Sequence, residues 1–257
     1  MNRKFIPGSE WLYIKVYTGV KTTDIILEEA IIPLLQQIQE ENLIKKWFFI
    51  RYNDPRGNFR LRFELSDISY FGKVLLLVNN HLEEYRDSGE ISECIIDTYQ
   101  REIERYGEAT IEDAEFLFCK SSESLLYEYL HFDDEDKIMV SVYYIDKILE
   151  NIGLSIQEKL SWITDFNFAF KQEFNADKKL NTQLDKKYRI FIINYLEFVE
   201  SEEYSSFRTA VLNNVHESKN ALQHIKNIIQ ILFRAFFSAC FICISIECLF
   251  QINDSLK

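Results

Sequence analysis

Apolar and polar side chains nearly alternate in short runs early in the chain, and give way later to longer stretches with a period near 3.6. Trp11–Thr18 (WLYIKVYT), residues 46–53 (KWFFIRYN) and Asn58–Leu65 (NFRLRFEL) combine aromatic and β-branched residues with partial alternation, the pattern of half-buried strands. The second and third runs are joined by Asp54-Pro55-Arg56-Gly57, whose Pro and Gly supply turn geometry, so an antiparallel hairpin is predicted. Between the first two strands, Thr23 or Asp24 can cap a helix with Ile25, Leu27, Ile31, Leu34, Leu35 and Ile38 at helical spacing, and Pro33 inside it predicts a bend or a split. Residues 71–85 read as a helix closed near Gly89, and residues 91–99 as a fourth strand. From Ile111 onward the pattern is helical only: about 112–131, 137–151 ended by Gly153, 155–171, 184–199 and 219–233. Strands followed by helices predict an α+β fold, with an antiparallel sheet in the N-terminal half and packed helices in the C-terminal half. The change near residue 110 is one of secondary structure, and residues 1–257 are expected to form a single domain.

Composition narrows the function classes. Forty-one Asp and Glu against 29 Lys and Arg give a net charge of −12, which argues against direct nucleic-acid binding and against anionic membranes. With 7 Gly, 3 Pro and no low-complexity tract, no flexible linker is evident. The start, MNRKFIPGSEW, lacks the apolar stretch of a signal peptide, which predicts a cytoplasmic protein. Residues 235–246 are uncharged, but a hydrocarbon core needs about 20 residues, so a buried helix is expected there and no transmembrane segment. Five cysteines are an odd number, against a disulfide framework. Cys240, Cys243 and Cys248 lie among Phe and Ile with no histidine close by, a setting for buried thiols rather than for zinc. No metal and no cofactor are expected, and the oligomeric state is left open.

Against this acidic background, arginines gather in two strings, RYNDPRGNFRLRF (Arg51 to Phe63) and DTYQREIERYG (Asp97 to Gly107). Arg60 and Arg62 are two apart, which in a strand puts both on one face and Leu61 in the core. Arg101 and Arg105 are four apart and share a face if that segment is helical. Guanidinium groups stay charged and grip carboxylates bidentately, so one reading is a site for an anionic ligand. The other is a pair of ordinary surface ion-pair patches with Glu64, Glu102 and Glu104. Conventional catalytic signatures are missing: there is no phosphate-cradling Gly-rich loop, no G-x-S-x-G and no H-E-x-x-H. His81, His131, His216 and His224 fall in predicted helices or helix ends with polar neighbours.

Four ordered motifs, FIPGSEWLYIKVYTG (Phe5 to Gly19), WFFIRYNDP (Trp47 to Pro55), FRLRF (Phe59 to Phe63) and DTYQREIERYG (Asp97 to Gly107), resemble the glutamate-elimination domain of lantibiotic dehydratases. This family is also called the thiopeptide-type bacteriocin biosynthesis domain. The resemblance is carried mostly by the first 120 residues and implies removal of glutamate from glutamylated Ser or Thr of a ribosomally made precursor peptide, leaving dehydroalanine or dehydrobutyrine. It implies a stand-alone subunit whose partner is a separate glutamyl-tRNA-dependent glutamylation subunit. By motif match Arg60, Arg62 and Arg105 become the functional cations, expected to converge on one cavity, with Arg51 and Arg101 as substrate-binding candidates. The family's closing segment resembles S-x-x-H-M-x-x-N-R-L-F, whose histidine is the expected acid/base. Here SACFICISIECLF (Ser238 to Phe250) places Cys243 at that histidine, Glu247 at the asparagine and Cys248 at the arginine, and the family continues past the point of Lys257 into a further helix. Asn58 stands where a histidine is common. Cys243 is thus the candidate at the catalytic position, although apolar neighbours raise a thiol's pKa. Two function classes stay open: a carbon–oxygen lyase, or a degenerate or repurposed member that binds precursor peptide or a partner enzyme. A pyridine-forming cyclase shares the fold by resemblance, but no residue here specifically supports it.

Overall fold

A computed structural model describes residues 2–53, 55–173 and 178–228. They divide into two compact units, one of residues up to His131 and one from Phe132 on. The first unit holds every strand among the described residues: β1 (Lys4–Phe5), β2 (Trp11–Thr18), β3 (Ile44–Tyr52), β4 (Asn58–Leu65), β5 (Ile91–Ile96) and β6 (Tyr99–Gln100). Its helices are α1 (Val20–Ile26), α2 (Ile32–Glu40), α3 (Phe71–Asp87), α4 (Ile103–Tyr106) and α5 (Ile111–Ser124). The α+β arrangement is as the sequence predicts.

The main sheet has the order β3-β4-β2-β5 with every neighbouring pair antiparallel. Strand and helix order from β2 to β5 is β-α-β-β-α-β, the split-βαβ arrangement. Leu12, Ile14, Val16, Trp47, Phe49, Phe59, Leu61 and Phe63 point to one face and form a core with Ile26 of α1, Leu34, Leu35 and Ile38 of α2, and Val74, Val78 and Leu82 of α3. Leu61 is fully buried in that core, worth about 1.5–3 kcal/mol relative to exposure. A one-residue slip would bury Arg60 and Arg62 in its place, so the hydrophobic pattern fixes which face carries the arginines. The hairpin β3–β4 closes through Gly57, where an added Cβ would stand 2.9 Å from the Thr18 carbonyl oxygen, so only glycine lets that backbone approach.

Several local expectations are corrected. The first helix begins at Val20, with Gly19 rather than Thr23 or Asp24 at its N-cap. Pro33 acts through the turn before it: Leu27–Ile31 is π-helical, the Ile32 amide reaching the Leu27 carbonyl, and Pro33 then opens α2. Proline lacks the amide that would meet the Glu29 carbonyl and its ring would clash there, and the widened turn relieves both. The predicted strand 91–99 is two strands. The Asp97 amide donates to the Tyr13 carbonyl at 3.0 Å and the Thr98 amide to the Asp97 carboxylate at 2.6 Å, a local side-chain turn that redirects the chain. Beyond it β6 leaves the main sheet and pairs with β1, a strand too short for the alternation to reveal. Arg101 lies outside the helix of the second string, which starts at Ile103, so Arg101 and Arg105 share no helical face.

The edge strand β3 is covered by α5, where Ser122 Oγ accepts from the Phe49 amide at 3.1 Å and donates to the Phe49 carbonyl at 3.4 Å. Cys119 on α5 is buried, and burial, with Glu123 adding, pushes its thiol up to about 12.

Among the described residues the second unit holds α6 (Asp134–Asn151), α7 (Ile156–Glu173), α8 (Lys178–Glu200), α9 (Ser205–Glu217) and α10 (Lys219–Ile228). Asp133 caps α6 through the Asp136 amide, and Gly153 at φ 73° closes it. The unpredicted α9 buries only Val211, Asn214 and Val215, a stripe too narrow to stand out from its polar sequence. It packs on α6, where the Tyr144 hydroxyl donates to Asn214 at 2.9 Å. Among the described residues no helix is long and apolar enough to cross a membrane. The helix expected over 235–246, with Cys240, Cys243 and Cys248, lies outside the described residues.

Candidate functional site

The candidate site lies on the sheet face opposite the helix-packed core. Cross-strand register places Tyr13 opposite Arg62 and Lys15 opposite Arg60, with Phe48 and Ile50 beside the same two arginines on the other flank. Arg60 and Arg62 therefore share one face as predicted, and the reason is the strand period of two.

This face is aromatic as well as cationic. Trp11, Phe48 and Phe118 pack with Phe5 and Tyr99 from the small β1–β6 ladder, with Trp11 and Tyr99 ring centroids 4.9 Å apart. Arg62 sits against this cluster, its guanidinium carbon 4.5 Å from the Tyr13 ring centroid, 5.1 Å from Phe48 and 5.3 Å from Tyr99. Arg60 stacks at 3.6 Å on Tyr52, and its Nε donates to Asn58 at 3.1 Å. Rings supply a negative face and fix a planar cation's orientation without neutralising its charge.

The arginines of the two strings differ in their partners. Arg51 projects to the helix side and pairs with Asp24 on α1 at 2.5 Å. Arg56 pairs with Glu93 and lies over Tyr17. Arg105, half-exposed on α4, pairs with Glu102 at 3.3 Å. Arg101 is buried and saturated: its Nε and Nη2 donate to the two oxygens of Glu115 at 2.6 and 2.7 Å. Arg60 and Arg62 have no carboxylate within ion-pair reach among the described residues. Arg62 is only 7% exposed and, among the described residues, makes one long bond of 3.5 Å to the Arg60 carbonyl while its buried Nε has no partner. In a chain with a net charge of −12, a buried guanidinium left without a carboxylate has unused capacity for an anion.

Sequence reasoning missed Lys15, Asp97 and Glu115. Lys15 adds a third cation beside Arg60 and pairs with Asp97. The hydrogen bond from Lys15 holds the Asp97 carboxyl below its ordinary value, against burial, with the Thr98 amide and Arg60 also favouring the anion. The same bond raises Lys15, so it stands as a cation here and not as a base. A depressed carboxyl stabilises the fold above its unfolded pKa and loses that contribution as pH falls through the folded value. Below about pH 4 the native protein is therefore expected to lose stability that Asp97→Asn does not. The pair is partly exposed, so thermal melts across acid pH should differ by under about 1 kcal/mol. Parallel acid limbs would remove the pair from the account.

Glu115, on α5, is fully buried and accepts from Arg101, from Lys46 at 3.0 Å and from the Tyr99 hydroxyl at 2.8 Å. Burial alone would depress the Lys46 ammonium, but Glu115 and Glu64 outweigh it and hold it raised. Burial, with the charge of Glu115 beside it, pushes the Tyr99 phenol well above its ordinary value, so it remains a donor. A signal for this network was present in the sequence as an acidic residue inside an apolar stripe of α5, IEDAEFLF. Among the described residues no group of three or more His, Cys, Asp or Glu is gathered as a metal site needs. Cys243 lies outside the described residues.

A family model described as lantibiotic biosynthesis dehydratase C-term matches residues 11–244. The chain is 29% identical over 187 residues to the subtilin biosynthesis protein SpaB of Bacillus subtilis, covering 70% of this chain and 18% of that protein. It is 30% identical over 194 residues to the nisin biosynthesis protein NisB of Lactococcus lactis subsp. lactis, covering 71% and 18%. The match thus spans under a fifth of the length of these curated relatives. Among solved structures, the tRNA-dependent lantibiotic dehydratase MibB from Microbispora sp. 107891 aligns with a TM-score of 0.66 at 15% identity, over 94% of this chain and 26% of that one. The pyridine synthase TbtD from thiomuracin biosynthesis aligns with a TM-score of 0.54 at 11% identity, over 94% and 91%. These two likenesses concern the fold.

Proposed function

The chain belongs to the lantibiotic dehydratase C-terminal family, and from that premise we propose that it removes glutamate from glutamylated Ser or Thr of a precursor peptide, residues 1–257 acting as one elimination domain. In that reaction a base takes the Cα proton, the Cα=Cβ bond forms, and the Cβ–O bond breaks with its electron pair leaving on the glutamate carboxylate. The observation that carries the reading is the contrast among the arginines. Arg60 and Arg62 are oriented by rings and hold no carboxylate of their own among the described residues, whereas Arg51, Arg56, Arg101 and Arg105 each do. A departing carboxylate is the anion such a pair suits, and preorganised cations lower the cost of the charge that develops. Lys15 stands beside Arg60 on the neighbouring strand but is paired with Asp97. Arg105, which pairs with Glu102, is included on the strength of its motif alone. Glutamyl groups reach the peptide through a separate glutamyl-tRNA-dependent subunit in this reading, and the work is cytoplasmic.

The test is release of free glutamate from a synthetic O-glutamylated peptide by the purified protein. Cys243→His, which restores the family's acid/base residue, is expected to raise that release, because the cations that hold the leaving group are unchanged. Native protein equalling the histidine variant would show that another group moves the proton. The second reading, a member that binds precursor without catalysis, draws on cysteine standing where the family has histidine. Peptide binding with no glutamate released by either form would decide for it.

A further inference from the structure

We infer that Glu115 is a positioning residue for the Arg62 guanidinium, acting through Tyr99, and that Arg101 belongs to this support rather than to the surface that meets substrate. The inference rests on the elimination reading and assigns the machinery beneath its cation.

Two buried arginines stand close to the same tyrosine and are treated in opposite ways. Arg101, 5% exposed, is bound bidentately by Glu115, and the Phe5 ring lies 5.1 Å from its guanidinium carbon. A guanidinium so gripped has its charge neutralised and its fork occupied, and is poorly suited to take a substrate carboxylate. Arg62, at similar burial, has three rings, one long bond to the Arg60 carbonyl and no carboxylate among the described residues. Of its three rings, Tyr13 and Phe48 belong to strands of the main sheet, whose ladders already fix them. Tyr99 does not: it comes from the two-residue β6, beyond the break at Asp97. Its backbone pairs only with the two-residue β1, its ring packs on Phe5, Trp11, Tyr13 and Phe48, and its hydroxyl is fixed by the bond to Glu115.

Glu115 in turn is held at both oxygens by Arg101 and by Lys46, which itself reaches out from the edge strand β3. One carboxylate thus ties α5, β3 and β6 together. The result is a wall of fixed orientation against which the Arg62 guanidinium lies.

Tyr99→Phe deletes the hydroxyl bond and keeps the ring. Glu115 retains Arg101 and Lys46 in that variant, so the fold should persist. Arg101→Gln leaves Glu115 with one cation, Lys46, and removes one positive charge from the cluster. The direct readout is the Arg62 Nε–Hε resonance in a 1H–15N spectrum, assigned by its loss in Arg62→Lys. Both variants are expected to shift or broaden that signal and to lower kcat/KM for the O-glutamylated peptide by about 2- to 10-fold, the range for one net hydrogen bond.

An Arg62 signal unmoved in folded Tyr99→Phe would overturn the positioning role. A raised KM in Arg101→Gln with the Arg62 signal unmoved would return Arg101 to the substrate. The resonance needs no turnover, so a native protein that releases no glutamate would sink the elimination reading while the spectrum still decides whether Glu115 positions Arg62.

Discussion

Arg62→Lys is expected to cut glutamate release from an O-glutamylated peptide by about 10²- to 10³-fold, the loss seen when one preorganised charge-stabilising donor is removed. The substitution keeps a basic side chain of similar length but removes the planar fork and its permanent charge. A planar cation is oriented by Tyr13, Phe48 and Tyr99 at 4.5–5.3 Å and presents a fork to a carboxylate. An ammonium on a flexible stem stacks poorly on three rings and meets a carboxylate as a point charge. It would also be almost fully buried without an ion-pair partner among the described residues, which favours its neutral form. Circular dichroism and a thermal melt should show the fold retained, since Leu61 and Phe63 on either side keep their core contacts. Release within a few-fold of native would mean that Arg62 is a structural residue of the aromatic cluster and that the leaving group is held elsewhere.

Glu115→Leu should destabilise the first unit by about 3–5 kcal/mol, because it strands buried cations rather than merely deleting contacts. Arg101, at 5% exposure, would keep only a 4.0 Å approach to the exposed Glu112, and Lys46 only its contact with Glu64 at 3.2 Å. The Tyr99 hydroxyl would lose its acceptor as well. At about 2–4 °C of melting temperature per kcal/mol for a chain of this size, calorimetry should find a drop of roughly 6–20 °C. Replacing Lys46 and Arg101 with Met in the same background should recover most of that loss, since a buried ionic cluster is often no more stable than apolar side chains of its volume. The triple variant should nevertheless fail to restore glutamate release, if the cluster exists to fix the Tyr99 ring. A single variant as stable as the native protein would show that Lys46 and Arg101 find other partners at no cost.

Residues fixed by their own sequence neighbourhood were legible. Alternation gave Trp11–Thr18 and Asn58–Leu65 at the bounds the structure has, and the same period put Arg60 and Arg62 on one face with Leu61 buried between them. Four ordered motifs gave the family. Elements lacking a periodic signal escaped: β1 is two residues long, and α9 buries a narrow stripe. Helical spacing within the second string suggested that Arg101 and Arg105 act together. The turn at Asp97 instead leaves Arg101 extended, beside a carboxylate fourteen positions away on α5.

By itself, then, the sequence determined the fold class, the face on which the arginines stand and the family, because each follows from side-chain period or from residue identity along a few neighbouring positions. Only the tertiary structure decided which arginines meet a carboxylate among the described residues and which do not. A guanidinium is neutralised or left available by whatever lies within about 4 Å of it, and for Arg51, Arg62 and Arg101 those neighbours are brought in from distant strands and helices. An acidic residue inside an apolar stripe marks Glu115 as buried, but nothing in the sequence says which cation it meets, nor that Asp24 and Tyr99 are partners. Packing of α1 on one face of the sheet, and of β6 and α5 about the other, selects Arg60 and Arg62 from a string of otherwise equivalent cations.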